Sequence, residues 1–467
     1  MEKALQQTGS RLGRMCMTQQ VDLREFINEN KVSPLQKLVI FLCLMIVVVD
    51  GIDISIMGFV APVIKQEWGI STSDLAPVMS AALVGLALGA VISGPLADKF
   101  GRKKLLIINL IGFGLFTLLA ALSNNVTELM IYRLVAGLFM GGVMPQAVTL
   151  VTDYSPMRLN GRMVTIILSG FTIGAAIGGF LAAWVIPLFN WHAMMIIGGI
   201  LPLILAVIAF FILPESIGYK VLKQHPKEEI NALIKRIAPD FDMTNKKIVL
   251  PKPKTNTVNN PVKTVISPFY ILGSFLLWWS YASGLFVVYL LGSWLPMMSY
   301  ELGFSISEAS LITAIYQLGG PIGCVACGFL MDKINPHLGL VIGYIIAIFF
   351  MFFIGEVGHN FMLYSMMCFF IGMWMNGANA GINGISSAFY PVFARATGNS
   401  WMHGIGRLGA VASAFAGAYF LSLGWPASKI FLVLCFPAMG IIIALLIMKT
   451  VYSPKKMQQR ELDNAQA

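Results

Sequence analysis

The chain has 467 residues, of which 57% are hydrophobic and only 12% are charged, and its mean hydropathy is +0.77. A soluble globular domain carries roughly twice that charged fraction, so the composition excludes a soluble enzyme, a disordered chain and a single-span receptor. The net charge of +10 is compatible with nucleic acid binding until the positions of the basic residues are considered.

Twelve apolar runs follow a polar N-terminal segment. Residues 1–36 have mixed charge and no apolar core, which predicts a cytoplasmic tail and not a signal peptide. The runs cover roughly 38–63, 77–97, 105–122, 129–151, 163–187, 192–213, 268–298, 308–331, 337–357, 361–388, 399–421 and 427–449. A polar stretch, 215–266, divides them into two sets of six. Runs of this kind predict transmembrane helices, because lipid leaves few other ways to satisfy the backbone.

The positions of Lys and Arg predict the orientation in the membrane. With the N-terminus inside, 28 of the 32 basic residues fall in cytoplasmic segments, Lys65 and Lys429 fall outside, and Arg133 and Arg407 lie within helices. The opposite orientation would invert this bias, so both termini are predicted to be cytoplasmic. The positive charge then faces the inner leaflet, and nucleic acid is not expected as a partner.

The two halves of the chain carry corresponding inner loops. Gly94 and Gly328 begin similar segments 234 residues apart, which is close to half of the chain. Two six-helix halves of this kind predict a transporter with its binding site between them, near the middle of the bilayer. The expected division is a tail at 1–36, a six-helix bundle at 37–214, a cytoplasmic loop at 215–266, a second bundle at 267–450 and a tail at 451–467.

Several motifs resemble those of the major facilitator superfamily. The loop Gly94-Pro95-Leu96-Ala97-Asp98-Lys99-Phe100-Gly101-Arg102-Lys103-Lys104 is similar to its helix 2–3 signature, and Asp332-Lys333 resembles a degenerate second copy. The segments that resemble its aromatic acid:proton symporter family are Asp50-Gly51-Ile52-Asp53, Gly142-Val143-Met144-Pro145, Leu213-Pro214-Glu215-Ser216, Tyr289-Leu290-Leu291-Gly292-Ser293-Trp294-Leu295-Pro296, Phe389-Tyr390-Pro391 and Gly404-Ile405-Gly406-Arg407. The resemblance runs from about residue 21 to 450.

This resemblance implies an all-α membrane protein of twelve helices in two pseudo-symmetric bundles. It implies proton-coupled import of an aromatic carboxylate by alternating access, particularly as in bacterial permeases for 4-hydroxybenzoate or protocatechuate. The expected partners are that carboxylate, protons and the lipid bilayer of a bacterial inner membrane, with the monomer as the functional unit. No enzymatic activity, cofactor or metal is expected.

Asp50 and Asp53 are the only acids deep within any apolar run. A charged carboxylate at the bilayer centre costs about 2.5–3.5 kcal/mol on insertion scales, which indicates a functional role. A spacing of three residues places both on one helical face, and a proton carrier is expected there. The alternative is a buried ion pair that only holds helices together.

Arg133 lies close enough in depth to Asp53 to pair with it, although an Arg side chain can also snorkel to the outer interface. Arg407 lies near mid-membrane with no acid at similar depth in its own half, so an incoming carboxylate is a candidate partner. His403 lies one turn below Arg407 and is a candidate substrate ligand, with a packing role as the alternative.

Further candidates fall into two groups. The polar residues expected to line the substrate path are Tyr316, Gln317, Asn376, Asn379 and Gln146. Residues of this type also form interhelical hydrogen bonds, which is the alternative for each. The residues expected to gate the inner side are Asp98, Gly101, Arg102, Asp332 and Arg395, through a charge latch between the halves.

Two other transport functions are alternatives. Efflux of a drug or metabolite is weakened by Ala175, which stands where drug antiporters are expected to have proline. Import of a non-aromatic organic acid is the other alternative. A membrane sensor would need a signalling domain that neither tail is long enough to form.

Overall fold

The computed structural model describes residues 19–239, 241, 246–249, 260–391 and 394–452. Strand β1 (Gln19–Asp22) and helix α1 (Leu23–Glu29) come first. The first bundle contains α2 (Pro34–Trp68), α3 (Thr72–Phe100), α4 (Arg102–Ala120), α5 (Val126–Tyr154) and α6 (Met157–Ile212). Between the bundles lie α7 (Ile217–Leu222), α8 (Lys227–Ile237), β2 (Lys246–Val249) and α9 (Pro261–Val265). The second bundle contains α10 (Ile271–Glu301), α11 (Ile306–Lys333), α12 (Pro336–Phe353) followed by a 3-10 turn (Ile354–Glu356), α13 (Phe361–Phe389), α14 (Arg395–Ser422) and α15 (Ala427–Val451).

Helix α6 is interrupted at Asn190, where the backbone has φ 66° and ψ 174°. This region of φ/ψ space costs a non-glycine residue about 1–3 kcal/mol. Glu67 stabilises the break, because its Oε2 accepts hydrogen bonds from Asn190 Nδ2 at 2.9 Å and from Trp191 Nε1 at 3.0 Å. Within the described residues eleven helices are long and apolar enough to cross a membrane, and α6 supplies two spans. The predicted twelve-helix fold is therefore confirmed.

The internal repeat extends to the helix starts. Ser71 and Ser305, which are 234 residues apart, cap α3 and α11. Each forms a capping box, with Asp74 and Glu308 respectively as the third helical residue. A capping box satisfies backbone N–H groups that the first helical turn leaves without partners.

Glycines let helices within each bundle approach closely. A side chain at Gly51 of α2 would overlap the backbone oxygen of Phe171 in α6, and one at Gly174 of α6 would overlap that of Val48 in α2. Gly323 of α11 lies in the same way against α13. Small residues at such crossings allow close van der Waals packing, which is one of the forces that drive helix association in lipid.

The helix ends define two faces of the molecule. We call the face that carries β1, α1 and the α7–α9 segment the tail face, and the other the opposite face. The bundles are joined toward the opposite face: Lys65 Nζ lies 3.1 Å from Glu301 Oε1, Gln66 bonds Tyr300, and Ser307 Oγ donates to the backbone oxygen of Ala183 at 2.8 Å.

On the tail side of the hydrogen bond from Arg407 to Leu86, described below, no hydrogen bond or ion pair joins the two bundles among the described residues. The polar contacts between the bundles among the described residues therefore lie at the opposite face and at Arg407.

The regions expected to form a tail and a loop are partly structured. Strands β1 and β2 pair in parallel, with Gln19 beside Lys246 and Asp22 beside Val249. Phe26 of α1 is buried and lies 4.8 Å from Phe241, measured between ring centroids. These segments thus form a small layer on the tail face. Residues 453–467 of the predicted C-terminal tail lie outside the described residues.

A charged candidate site between the bundles

A fully buried ion pair joins three helices of the first bundle. Arg133 Nη1 of α5 donates to both carboxylate oxygens of Asp53 of α2, at 3.0 and 2.9 Å, and Nη2 donates to the Asp53 backbone oxygen at 3.2 Å. Thr117 of α4 also donates to Asp53 Oδ1 at 3.0 Å. Neither charged side chain has any exposed surface. These bonds compensate the carboxylate charge and fix the side chains in place.

Asp50 has a different environment, although it lies one turn away on the same helix. Its side chain is 1% exposed, and its Oδ1 has no hydrogen-bond partner among the described residues. The charges that act on it come from Asp53 and from Arg407 of α14. A buried polar atom without a partner is rare in native proteins and requires an explanation.

Arg407 reaches from the second bundle to the first. Its Nη1 donates to the backbone oxygen of Leu86 in α3 at 2.9 Å, and it also acts electrostatically on Tyr281 and Tyr289 of α10. A guanidinium has five N–H donors, and the described residues give Arg407 one hydrogen bond. The remaining donors leave it able to bind a carboxylate by two parallel bonds.

His403 lies one turn toward the tail face from Arg407. Its ring meets the ring of Tyr281 edge-on, with centroids 4.8 Å apart and planes at 80°. The residue as a whole is exposed.

The other predicted substrate residues make contacts within their own bundle. Tyr316 is buried against Gly372, and Asn376 Nδ2 donates to the Gly372 backbone oxygen at 2.9 Å. Asn379 lies against Gly284 of α10. Gln317 lies against Gly292 of the same helix, so close that a methyl group added there would be 3.1 Å from Gln317 Nε2. Gln146 Nε2 is 3.4 Å from the Ser93 backbone oxygen. These contacts lie within one bundle, so the role of these residues in substrate binding stays a prediction.

The predicted gating residues are not joined across the bundles in this state. Asp98, Asp332 and Arg395 are exposed, and none has an ion pair with a described residue. Arg102 pairs with Asp153 of its own bundle. The predicted charge latch between the halves is therefore not formed here and stays a prediction.

Gly101 has φ 98°, a conformation that favours glycine, at the start of α4. Glu215 Oε1 caps this start by accepting from the backbone N–H groups of Arg102 and Lys103, each at 3.0 Å. A side chain at Gly101 would overlap the Glu215 carboxylate. Gly101 thus permits a capping contact between two segments far apart in the sequence.

Sequence reasoning missed three further members of the site. Thr117 gives no distinctive signal, because threonine is common in membrane helices. Tyr289 is the first residue of a segment that resembles the family, and this resemblance marks it as a candidate. Tyr281 lies two helical turns before it, on the same helix. Within the described residues, no three His, Cys, Asp or Glu side chains are grouped as metal ligands.

Two six-helix bundles, with a buried Asp50 in the first and Arg407 of the second reaching across to the first, define a secondary transporter. The sequence profile of the Major Facilitator Superfamily matches residues 43–375 and 277–465, and the chain belongs to this superfamily.

Similar proteins agree with this assignment. The chain is 41% identical to the 4-hydroxybenzoate transporter PcaK of Pseudomonas aeruginosa, over 90% of this chain and 94% of that protein. It is 37% identical to a gallate transporter of Pseudomonas putida, over 91% and 94% respectively. A crystal structure of a bacterial homologue of the human lysosomal transporter Spinster has the same fold, with a TM-score of 0.66 and 18% identity over 90% of this chain and 99% of that one.

Proposed function

We propose that this protein imports an aromatic carboxylate together with a proton by alternating access. The observation that carries the proposal is the position of Arg407, which extends across the two bundles and acts on the carboxyl group of Asp50, whose Oδ1 has no hydrogen-bond partner among the described residues. Relatives that transport 4-hydroxybenzoate and gallate support an aromatic acid as the substrate.

The charge balance of the site explains how the two fluxes would be coupled. Asp53 and Arg133 neutralise each other, so the remaining charges are those of Asp50 and Arg407. Without substrate, ionised Asp50 balances Arg407. With substrate, the carboxylate balances Arg407 if Asp50 is protonated. Both of these states are neutral, whereas a proton or a carboxylate alone leaves a net charge.

A net charge buried at mid-membrane is costly, so the bundles reorient readily only when the site is neutral. The carrier therefore moves either empty or with one proton and one carboxylate. Asp50 is the proton carrier in this scheme. Asp53 and Arg133 hold α2 against α5 and keep Asp50 at its depth.

The tail face is proposed to be cytoplasmic, in the inner membrane of a bacterium. The bias of 28 to two basic residues supports this orientation. The bundles at 37–214 and 267–450 are then the two moving bodies, and one copy of the chain contains every residue the scheme needs.

The experiment that tests the function measures uptake by proteoliposomes. Labelled 4-hydroxybenzoate, protocatechuate, gallate and benzoate are compared with an aliphatic carboxylate, with and without an inward proton gradient. We expect gradient-driven accumulation of the aromatic acids only, abolished by a protonophore. Accumulation that continues undiminished with the protonophore would exclude proton coupling, and export in place of import would favour the efflux alternative.

A further inference from the structure

The faces of α14 show where the His403 side chain lies. Gly406 and Gly409 contact α10, because side chains there would overlap Tyr281 and Ala282. The side chains on the other side of the helix are exposed, as expected for a lipid-facing surface: Leu408 (68%), Phe415 (49%) and Tyr419 (61%).

At 100° per residue, His403 lies about 140° from Leu408 around the helix, and only about 40° from Arg407. Arg407 points to α3, since it bonds the Leu86 backbone oxygen. His403 therefore faces the cleft between the bundles and not the lipid.

The ring nitrogens of His403 form no hydrogen bond with a described residue. The edge-on contact with Tyr281 holds the ring in position and leaves these nitrogens available. A neutral imidazole offers one donor and one acceptor.

The burial of α14 on either side of Arg407 indicates the direction in which a bound substrate extends from it. Ala410 and Ala414 of α14, beyond Arg407 toward the opposite face, are 5% and 1% exposed. That side is filled, whereas His403, one turn toward the tail face, is exposed. A carboxylate on Arg407 must therefore place its ring toward the tail face, alongside His403.

The spacing matches an aromatic acid. His403 and Arg407 are four residues apart, a rise of about 6 Å along the helix. This is about the span from a carboxylate carbon to a hydroxyl oxygen at the opposite end of a benzene ring. We propose that His403 is a specificity-determining residue that hydrogen-bonds a ring hydroxyl para to the carboxylate. This inference rests on the proposed function and adds a preference for 4-hydroxylated benzoates.

The test compares the binding of benzoate, 3-hydroxybenzoate and 4-hydroxybenzoate to the full-length protein in detergent by titration calorimetry. We expect the unmodified protein to bind 4-hydroxybenzoate most tightly. His403→Phe keeps a ring for Tyr281 and removes the hydrogen bond, so it should weaken 4-hydroxybenzoate binding by about 3- to 10-fold, as expected for one neutral hydrogen bond. Binding of benzoate should not change.

His359→Phe is the matched control. His359 also meets an aromatic ring edge-on, that of Phe304, with centroids 5.9 Å apart, but it lies at the opposite face outside the cleft. This variant should bind all three ligands as the unmodified protein does.

Equal losses for benzoate and 4-hydroxybenzoate in His403→Phe, or no loss for either, would overturn the inference. Equal affinity of the unmodified protein for these two ligands would overturn it even if the variant did not fold. All of these results leave the proposed function in place as long as the unmodified protein binds benzoates. Absence of binding for all three would reject the proposed function itself.

Discussion

Asp50 and Asp53 lie one helical turn apart but in different environments. The carboxylate of Asp53 accepts hydrogen bonds from Arg133 and Thr117. Asp50 has a buried oxygen without a partner and a cation of the other bundle near it. This difference is why the proposed scheme makes Asp50, and not Asp53, the proton carrier.

Substitution of Asp50 separates coupling from binding. Asp50→Asn imitates the protonated acid, so the carrier with bound substrate stays neutral while the empty carrier has a net charge. We expect gradient-driven accumulation to fall to the level of protein-free liposomes, with substrate counterflow retained. Both assays are made on the same proteoliposomes. Loss of both in a folded, monodisperse protein would assign Asp50 to binding or gating, and retention of both would place the proton carrier elsewhere.

Asp53→Asn is the natural comparison for that variant. It leaves Arg133 charged and buried without its counter-ion, so we expect a loss of stability of about 3–5 kcal/mol, the usual cost of breaking a buried pair. The thermal unfolding midpoint measures this loss. The double variant with Arg133→Gln should lose less than the sum of the two single variants.

Arg407 is expected to recognise the substrate carboxylate. Arg407→Lys keeps the positive charge but loses the planar fork, so the affinity for benzoate should fall by about 1–3 kcal/mol. Benzamide has the same ring without the charge, so any binding of it should be much less affected. Equal losses for benzoate and benzamide in a binding titration would show that Arg407 is structural.

Helix pairs within each bundle depend on glycine at their crossings. A methyl group at Gly51 would overlap the backbone oxygen of Phe171, which cannot move without displacing α6. We expect Gly51→Ala to lower the thermal unfolding midpoint and to displace Asp50, so that uptake also falls. Gly161→Ala, on α6, is the control, because nothing lies within 4 Å of its added methyl group. An unchanged midpoint in Gly51→Ala would show that the crossing tolerates more separation than the structure indicates.

The state of the whole molecule depends on contacts between the bundles. Lys65 and Glu301 join α2 to α10 at the opposite face, and both side chains are about one-third exposed. Exposed pairs contribute only about 0.2–1 kcal/mol, which is still enough to shift two states of similar free energy. We expect Lys65→Glu to favour opening at the opposite face, and addition of Glu301→Lys to reverse the effect.

Spin labels placed across the tail face measure this shift as a distance distribution. In Lys65→Glu, the population with shorter distances across the tail face should increase. In the charge-swapped double variant, the distribution should return to that of the unmodified protein. A double variant that behaves as the single one would mean that the pair does not control the state. Total stability should change little in either protein, since the side chains are solvated.

The sequence by itself determined the twelve helices, their division into two sets of six and the residues able to carry charge chemistry. The physical reason is that lipid imposes long apolar helices and makes each buried Asp or Arg conspicuous. Comparing depths along two helices also predicted the Asp53–Arg133 pair, as one of two alternatives for Arg133.

The tertiary structure decided which charges meet between the bundles. Asp50 and Arg407 belong to opposite halves of the chain. The periodicity of a helix predicts which of its residues share a face, but it does not predict which helix of the other bundle that face contacts. The parallel pairing of β1 with β2 was unpredictable for the same reason, because two four-residue strands gain their partners only through long-range contacts. Local sequence thus specified the helices and their chemistry, while the packing of one bundle on the other assembled the site.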